Sequence, residues 1–131
     1  MSGFWIPNLS GVARMTPIME QTSLTNVGAG ALTVVYTVPD GKATVLTHIA
    51  SARTGGTAPT SLRAEIRDDG SSSLRVNIYN RVTPGIGVRV EWTGHLWLGE
   101  TDQLLMGSLG GDGTTDLGHD YFGVEFDWIA A

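Results

Sequence analysis

Four stretches of the chain alternate apolar and polar residues with a period of two. Leu62, Ala64 and Ile66 alternate with Arg63, Glu65 and Arg67. Leu74, Val76 and Ile78 alternate with Arg75, Asn77 and Tyr79. Val88, Val90 and Trp92 alternate with Arg89, Glu91 and Thr93. Phe122, Val124, Phe126 and Trp128 alternate with Tyr121, Gly123, Glu125 and Asp127. Successive side chains of a strand point to opposite faces, so this pattern predicts strands with one buried and one wet face. The expectation is that the apolar set faces the core in each.

Upstream, Thr33-Val-Val-Tyr-Thr-Val38 is rich in β-branched and aromatic residues and reads as a strand. Pro39-Asp40-Gly41-Lys42 turns the chain, with Pro pre-setting φ and Gly free to take a positive φ. Ala43–Ala52 follows as a strand, with Val45 and Ile49 expected on one face and Leu46 on the other. Asp68-Asp69-Gly70 and Pro84-Gly85 are further turns, and His95–Leu98 and Gln103–Ser108 are apolar enough for two more strands. Gly110–Gly118 reads as a loop. Regularly spaced turns and no βαβ alternation predict an all-β domain, an antiparallel β-sandwich or jelly roll of seven to eight strands. Residues 1–30 differ: isolated apolar residues stand among turn formers, and Pro7 and Pro17 oppose a long helix. They are expected to form an extended N-terminal arm with one short strand, ahead of a sandwich domain spanning 31–131. The arm's apolar residues Phe4, Trp5, Ile6, Met15, Ile18 and Met19 are the candidate partner-binding positions.

Composition narrows the classes. The 131 residues suffice for one core, and the absence of cysteine excludes disulfides and thiolate metal sites. The N-terminus lacks a basic, apolar leader pattern, and no run of ~18 apolar residues predicts a membrane span. Net charge is −5, which argues against a free nucleic-acid binder. The charges are unevenly placed: all eight bases lie between Arg14 and Arg89, and seven acids but no base follow Trp97. That split suits Arg-bearing strands pairing with acidic ones, within one sheet or between copies.

Candidate chemistry is sparse. The histidines are His48, His95 and His119, spread through the chain. Asp112, Asp116 and Asp120 offer oxygen ligands in a Gly-rich loop, but without EF-hand spacing. Glu100/Asp102 and Glu125/Asp127 are carboxylate pairs that a strand would place on one face, a feature of acid–base sites and of solvated strands alike. Tyr36, Trp5, Trp92 and Trp97 suit either a sugar-stacking platform or a core or subunit interface. The chain has no nucleophile elbow, phosphate loop or zincin motif, so no catalytic residue, cofactor or metal is expected.

The stretch T-V-V-Y-T-V-P-D-G-K-A-T-V-L-T-H-I, Thr33–Ile49, resembles the opening of small structural proteins of tailed bacteriophages. Their sequel is similar too: an apolar segment beside a Gly-Glu-x-Asp turn, here Leu98–Asp102, and a closing aromatic strand, here Gly123-Val-Glu-Phe126. The Asn usual after the second strand is absent, and Ala50-Ser-Ala-Arg53 stands there instead. The resemblance covers residues 31–128 and implies a non-enzymatic virion component. That means a capsid decoration (cement) protein, or a tail or head–tail accessory protein. Its partners would be copies of itself, in a trimer or ring, and a major capsid or tail protein. Two other readings stay open. A carbohydrate-binding module of a host-recognition device predicts Trp92 or Trp97 exposed in a groove. A small enzyme predicts a histidine beside a carboxylate in a pocket.

Overall fold

The computed structural model describes residues 15–27, 32–68, 75–82, 85–110 and 113–127. They form eight strands: β1 (Met15–Val27), β2 (Leu32–Thr37), β3 (Lys42–Gly55), β4 (Ser61–Arg67), β5 (Arg75–Val82), β6 (Arg89–Leu98), β7 (Gln103–Leu109) and β8 (Thr115–Asp127). One sheet has the order β1-β8-β3-β6 and the other β2-β7-β4-β5, with every pairing antiparallel. The first strand pairs with the last, the second with the seventh, the third with the sixth and the fourth with the fifth. This is a long hairpin rolled into two sheets, the connectivity of a jelly roll. Every connection except β4–β5 passes from one sheet to the other.

The core lies between the sheets. Leu46, Ile49, Leu117 and Tyr121 from the first sheet meet Leu62, Ala64, Ile66, Tyr79, Leu104 and Met106 from the second. The expected turn after β2 is present: Lys42 N donates to Pro39 O at 3.1 Å, and Gly41 has φ +74°. Its neighbour, the β6–β7 turn, is tied to it. Gly41 N donates to Glu100 Oε2 (2.8 Å) and Val38 N to Asp102 O (3.0 Å).

Three facing expectations change. An irregularity between Leu46 and His48 shifts the alternation of β3, so Leu46 and Ile49 both point inward and Val45 outward. An extra residue in β5 opposite Ala64/Glu65 brings both Ile78 and Tyr79 to the core, while Val76 stays exposed. Most consequentially, β8 is inverted in its second half. Leu117, His119, Tyr121 and Gly123 are buried, and Phe122, Val124 and Phe126 lie on the outer face. Boundaries move as well: His95–Leu98 continues β6, and Thr115–Gly118 belongs to β8. Of the segment 1–30, residues 15–27 are β1, the edge strand beside β8. Residues 1–14 lie outside the described residues, as do Leu74, Pro84, Asp112 and Trp128.

Gly123 lets β8 sit close to β3. A Cβ there would stand 2.4 Å from Val45 O and 3.1 Å from Leu46 Cα, which are backbone atoms with little room to yield. Gly123→Ala is therefore expected to destabilise the fold by roughly 1–3 kcal/mol. Gly118→Ala, whose Cβ would meet only the Thr54 methyl at 3.3 Å, should cost distinctly less. Urea midpoints of the two variants check this.

Candidate functional site

Because strands alternate faces, the register defines the outer face of the β1-β8-β3-β6 sheet row by row. The first row holds Met15, Phe126 and Ala43. The second holds Pro17, Val124, Val45 and Trp97. The third holds Met19, Phe122, His48 and Thr93. Then the character changes, to Gln21, Asp120, Ala50 and Glu91. The second row is thus apolar across four strands, and Met15, Met19, Phe122 and Phe126 extend it along β1 and β8, while His48 and Thr93 are polar. Met15 is 62% exposed, Met19 71% and Trp97 67%. The Trp97 ring meets Phe126 edge-on, with centroids 5.8 Å apart, and His48 lies against Phe122 at 5.1 Å.

The outer face of the other sheet is different. There Arg63, Glu65 and Arg67 on β4 lie beside Asn77 and Asn80 on β5 and Gln103 on β7. Glu65, expected to be wet, is buried and accepts from Arg63 Nη2 at 3.2 Å. Leu32, Val34 and Leu105 share that face with them, so it mixes charged and polar residues with apolar ones.

Beneath the apolar rows, the interior of the same end holds a polar group beside Leu46 and Leu98. Tyr36 donates its hydroxyl proton to Glu125 Oε2 at 2.7 Å, so Thr44, also at 2.7 Å, donates to the Tyr36 oxygen. Burial pushes the Tyr36 phenol well above its usual range, and Glu125 adds to the effect. Tyr121 is pushed up to about 12, chiefly by burial. Glu125 and Asp127 share one face as expected, but each already has a partner, since Lys42 pairs with Asp127.

The three histidines do not converge. His119 is buried on the inner side of β8, with Nδ1 2.9 Å from Ser51 Oγ, which also bonds Tyr79. His119 Nε2 is buried without a partner among the described residues, and burial lowers its pKa to about 4. His95 is exposed on β6. His48 has Nε2 3.2 Å from Asp120 Oδ1, but Arg89 also holds that carboxylate, at 2.9 and 3.0 Å. A hollow of about 150 Å³ beside Asp120 is lined by Ala50, Ser51, Ala52, Arg89 and Gly118, and not by His48. The group is an ion-pair cluster whose carboxylate is already neutralised. It joins an Arg of the basic middle of the chain to the acidic C-terminal stretch, as Lys42–Asp127 also does.

Asp116 and Asp120 lie four residues apart along β8, about 13 Å, and Asp112 is outside the described residues. Among the described residues, no group of three or more His, Asp or Glu could hold a metal ion. A hollow of about 490 Å³ between the end of β6 and the β2–β3 turn is lined by Trp97, Leu98, Gly99, Glu100, Asp102, Lys42, Ala43 and Asp68. Trp92, by contrast, is half-buried against the core.

Among the arm residues singled out from the sequence, Met15 and Met19 are on the exposed apolar face, and Ile18 packs inward on the chain's own core. Phe4, Trp5 and Ile6 lie outside the described residues. Sequence reasoning missed Phe122, Val124, Phe126 and Val45 as outer-face residues. The available signal was the adjacent pair Tyr121-Phe122, where the apolar stripe of β8 changes sides.

No protein-family model matches the sequence, and no curated protein matches it. Solved structures match in fold. A subunit of Bacillus endospore appendages, described as a family of disulfide-linked pili, aligns with a TM-score of 0.50 at 11% identity, over 88% of this chain and 92% of that one. The protein of T=1 particles derived from infectious bursal virus aligns with a TM-score of 0.47 at 12% identity. That match covers 91% of this chain but only 36% of the viral one. These likenesses are in fold alone.

A histidine buried in neutral form makes stability depend on pH. The unfolded His titrates at its ordinary 6.5 and the folded one at about 4, so the unfolded state takes up the proton first as pH falls. Stability is then lost progressively from about pH 6.5 downward, by about 3 kcal/mol once pH 4 is reached. His119→Phe is expected to flatten the slope of the urea midpoint between about pH 6.5 and pH 5, above the range where carboxylates titrate.

Proposed function

We propose that the protein is a non-enzymatic structural subunit that assembles with copies of itself, and that the apolar end of the β1-β8-β3-β6 outer face is its docking surface. The observation that carries this reading is the contiguous run Met15, Pro17, Met19, Phe122, Val124, Phe126, Val45 and Trp97 on the face of a sheet whose inner side already supplies the core. Contiguous exposed apolar patches mark interaction sites, and Met and aromatic residues are enriched in interface centres. The outer face of the partner sheet is the contrast, since Arg63, Glu65, Arg67, Asn77 and Asn80 break up its apolar residues Leu32, Val34 and Leu105.

In its finer form the proposal is a virion protein of a tailed bacteriophage, a capsid decoration protein that stabilises the head. The Thr33–Ile49 and Leu98–Asp102 motifs support that form, and tail or head–tail attachment is its nearest alternative. The fold match to a pilus subunit is in keeping with the coarser role. Those pili are disulfide-linked, whereas this chain has no cysteine, so its contacts would be non-covalent. Many weak contacts on a symmetric lattice add to strong binding through effective concentration.

Light scattering on the purified protein should give a mass that is a multiple of the protomer's. Val124→Glu should return it to a monomer with nearly unchanged thermal midpoint, because Val124 lies outside the core. A parent protein that is monomeric at high concentration would sink the assembly reading. Co-sedimentation with empty phage heads or with tails then separates the finer alternatives.

Exposed Trp97 beside the 490 Å³ hollow supports a second reading, a glycan-binding surface. It predicts that added oligosaccharides quench or shift tryptophan emission in the parent and not in Trp97→Ala. Absence of any response across a panel of glycans would retire it.

A further inference from the structure

The apolar rows have a size. Three rows two residues apart span about 13 Å along the strands, and four strands span about 14 Å across. With side-chain margins the patch covers roughly 300 Å², well short of the ~800 Å² per partner that a stable subunit interface buries. An extended segment of six residues, about 20 Å long and ~10 Å wide, fits it far better. The open edge of β1 does not invite strand addition either, because Pro17 within it has no N–H to offer.

The chain carries a segment of the right kind. Residues 1–14 include Phe4, Trp5, Ile6, Leu9 and Val12, with a single charge, Arg14. They join β1 at Met15, the first residue of the apolar rows. Met15 is paired in extended register with Phe126 at the end of the sheet, so a chain leaving it would have to reverse to cover its own face. Residues 4–6 lie about nine to eleven positions upstream, up to ~35 Å of extended chain, enough to reach an adjacent molecule.

We infer that the six-residue segment Phe4–Leu9 of one copy seats on the Met15/Met19/Phe122/Val124/Trp97 patch of a neighbouring copy. This rests on the assembly reading and names the contact that makes it. The aromatic pair Phe4-Trp5 supplies rigid apolar anchors, and the thioethers of Met15 and Met19 adapt to their ring edges. A chain of such contacts is heterologous, so it closes into a ring or propagates as a filament, according to the rotation between neighbours.

The absence of native cysteine makes the test direct. Full-length Ile6→Cys and Val124→Cys proteins are mixed, allowed to exchange, and treated with a short bis-maleimide. Covalent dimers that require both variants, and that are lost when Phe4→Glu is added to the Ile6→Cys chain, are the expected result. Cross-linking only within a chain of the double variant Ile6→Cys/Val124→Cys would overturn the inference, because the segment would then cover its own face. Dimers of Val124→Cys alone would overturn it in favour of face-to-face pairing. In both overturning cases light scattering still reports on the wider reading: a mass above that of the protomer leaves assembly standing, and a monomer ends both.

Discussion

A continuous β-strand cannot change which of its faces is inside, and β8 is where that constraint decides the molecule. The strand pairs with β1 on one side and β3 on the other in unbroken alternation from Leu117 to Asp127. Leu117 and Tyr121 are committed to the core, with 0% and 4% of their surface exposed. Every second residue after Tyr121 must therefore also point inward. The apolar residues that follow, Phe122, Val124 and Phe126, are left outside.

The rest of that end of the sandwich accommodates this. Gly123 points inward without a side chain and lets β3 approach, and Glu125 accepts from Tyr36, whose oxygen accepts a hydrogen bond from Thr44. Taking a carboxylate partly out of water costs free energy unless it is bonded, and the half-buried Glu125 is. That polar group sits inside beside Leu46 and Leu98, while Met, Phe, Val and Trp stand outside. Pro17 follows the same logic on the edge strand, blunting the edge while adding to the face. The two sheets consequently present unlike surfaces, one mixed and bearing Arg63, Glu65 and Arg67, the other apolar over three rows on β1 and β8.

Much of the fold was legible in the sequence: the period-two runs, the Pro39–Lys42 turn, the number of strands and the jelly-roll class. Alternation separates two faces, however, without saying which is inside. For β4 and β6 the charged set settled the question, because Arg63 and Arg89 favour water. For β8 both sets held aromatics, and only the jump from Tyr121 to Phe122 marked the change. The shifts at Leu46/His48 and Ala64/Glu65 carry no glycine or proline on the bulged strand itself, although Gly123 of β8 pairs with Leu46 at the first. The proposed docking face was half legible. Met15 and Met19 were singled out with Ile18, although their odd numbering already set them on the opposite side of a strand from it. Trp97, Val45 and Val124 became part of it only through the pairing of β6, β3 and β8, which are distant in sequence.

Methionine oxidation tests the central claim, that this face is covered in the native assembly, most directly. Met15 and Met19 are 62% and 71% exposed in the single chain, while Met106 is fully buried and serves as an internal reference. Peroxide treatment with site-resolved mass spectrometry reads each sulfur separately. Protection of Met15 and Met19 approaching that of Met106 in concentrated protein, lost on dilution, is the result this account predicts. Oxidation of both at the rate of free methionine at every concentration would contradict it.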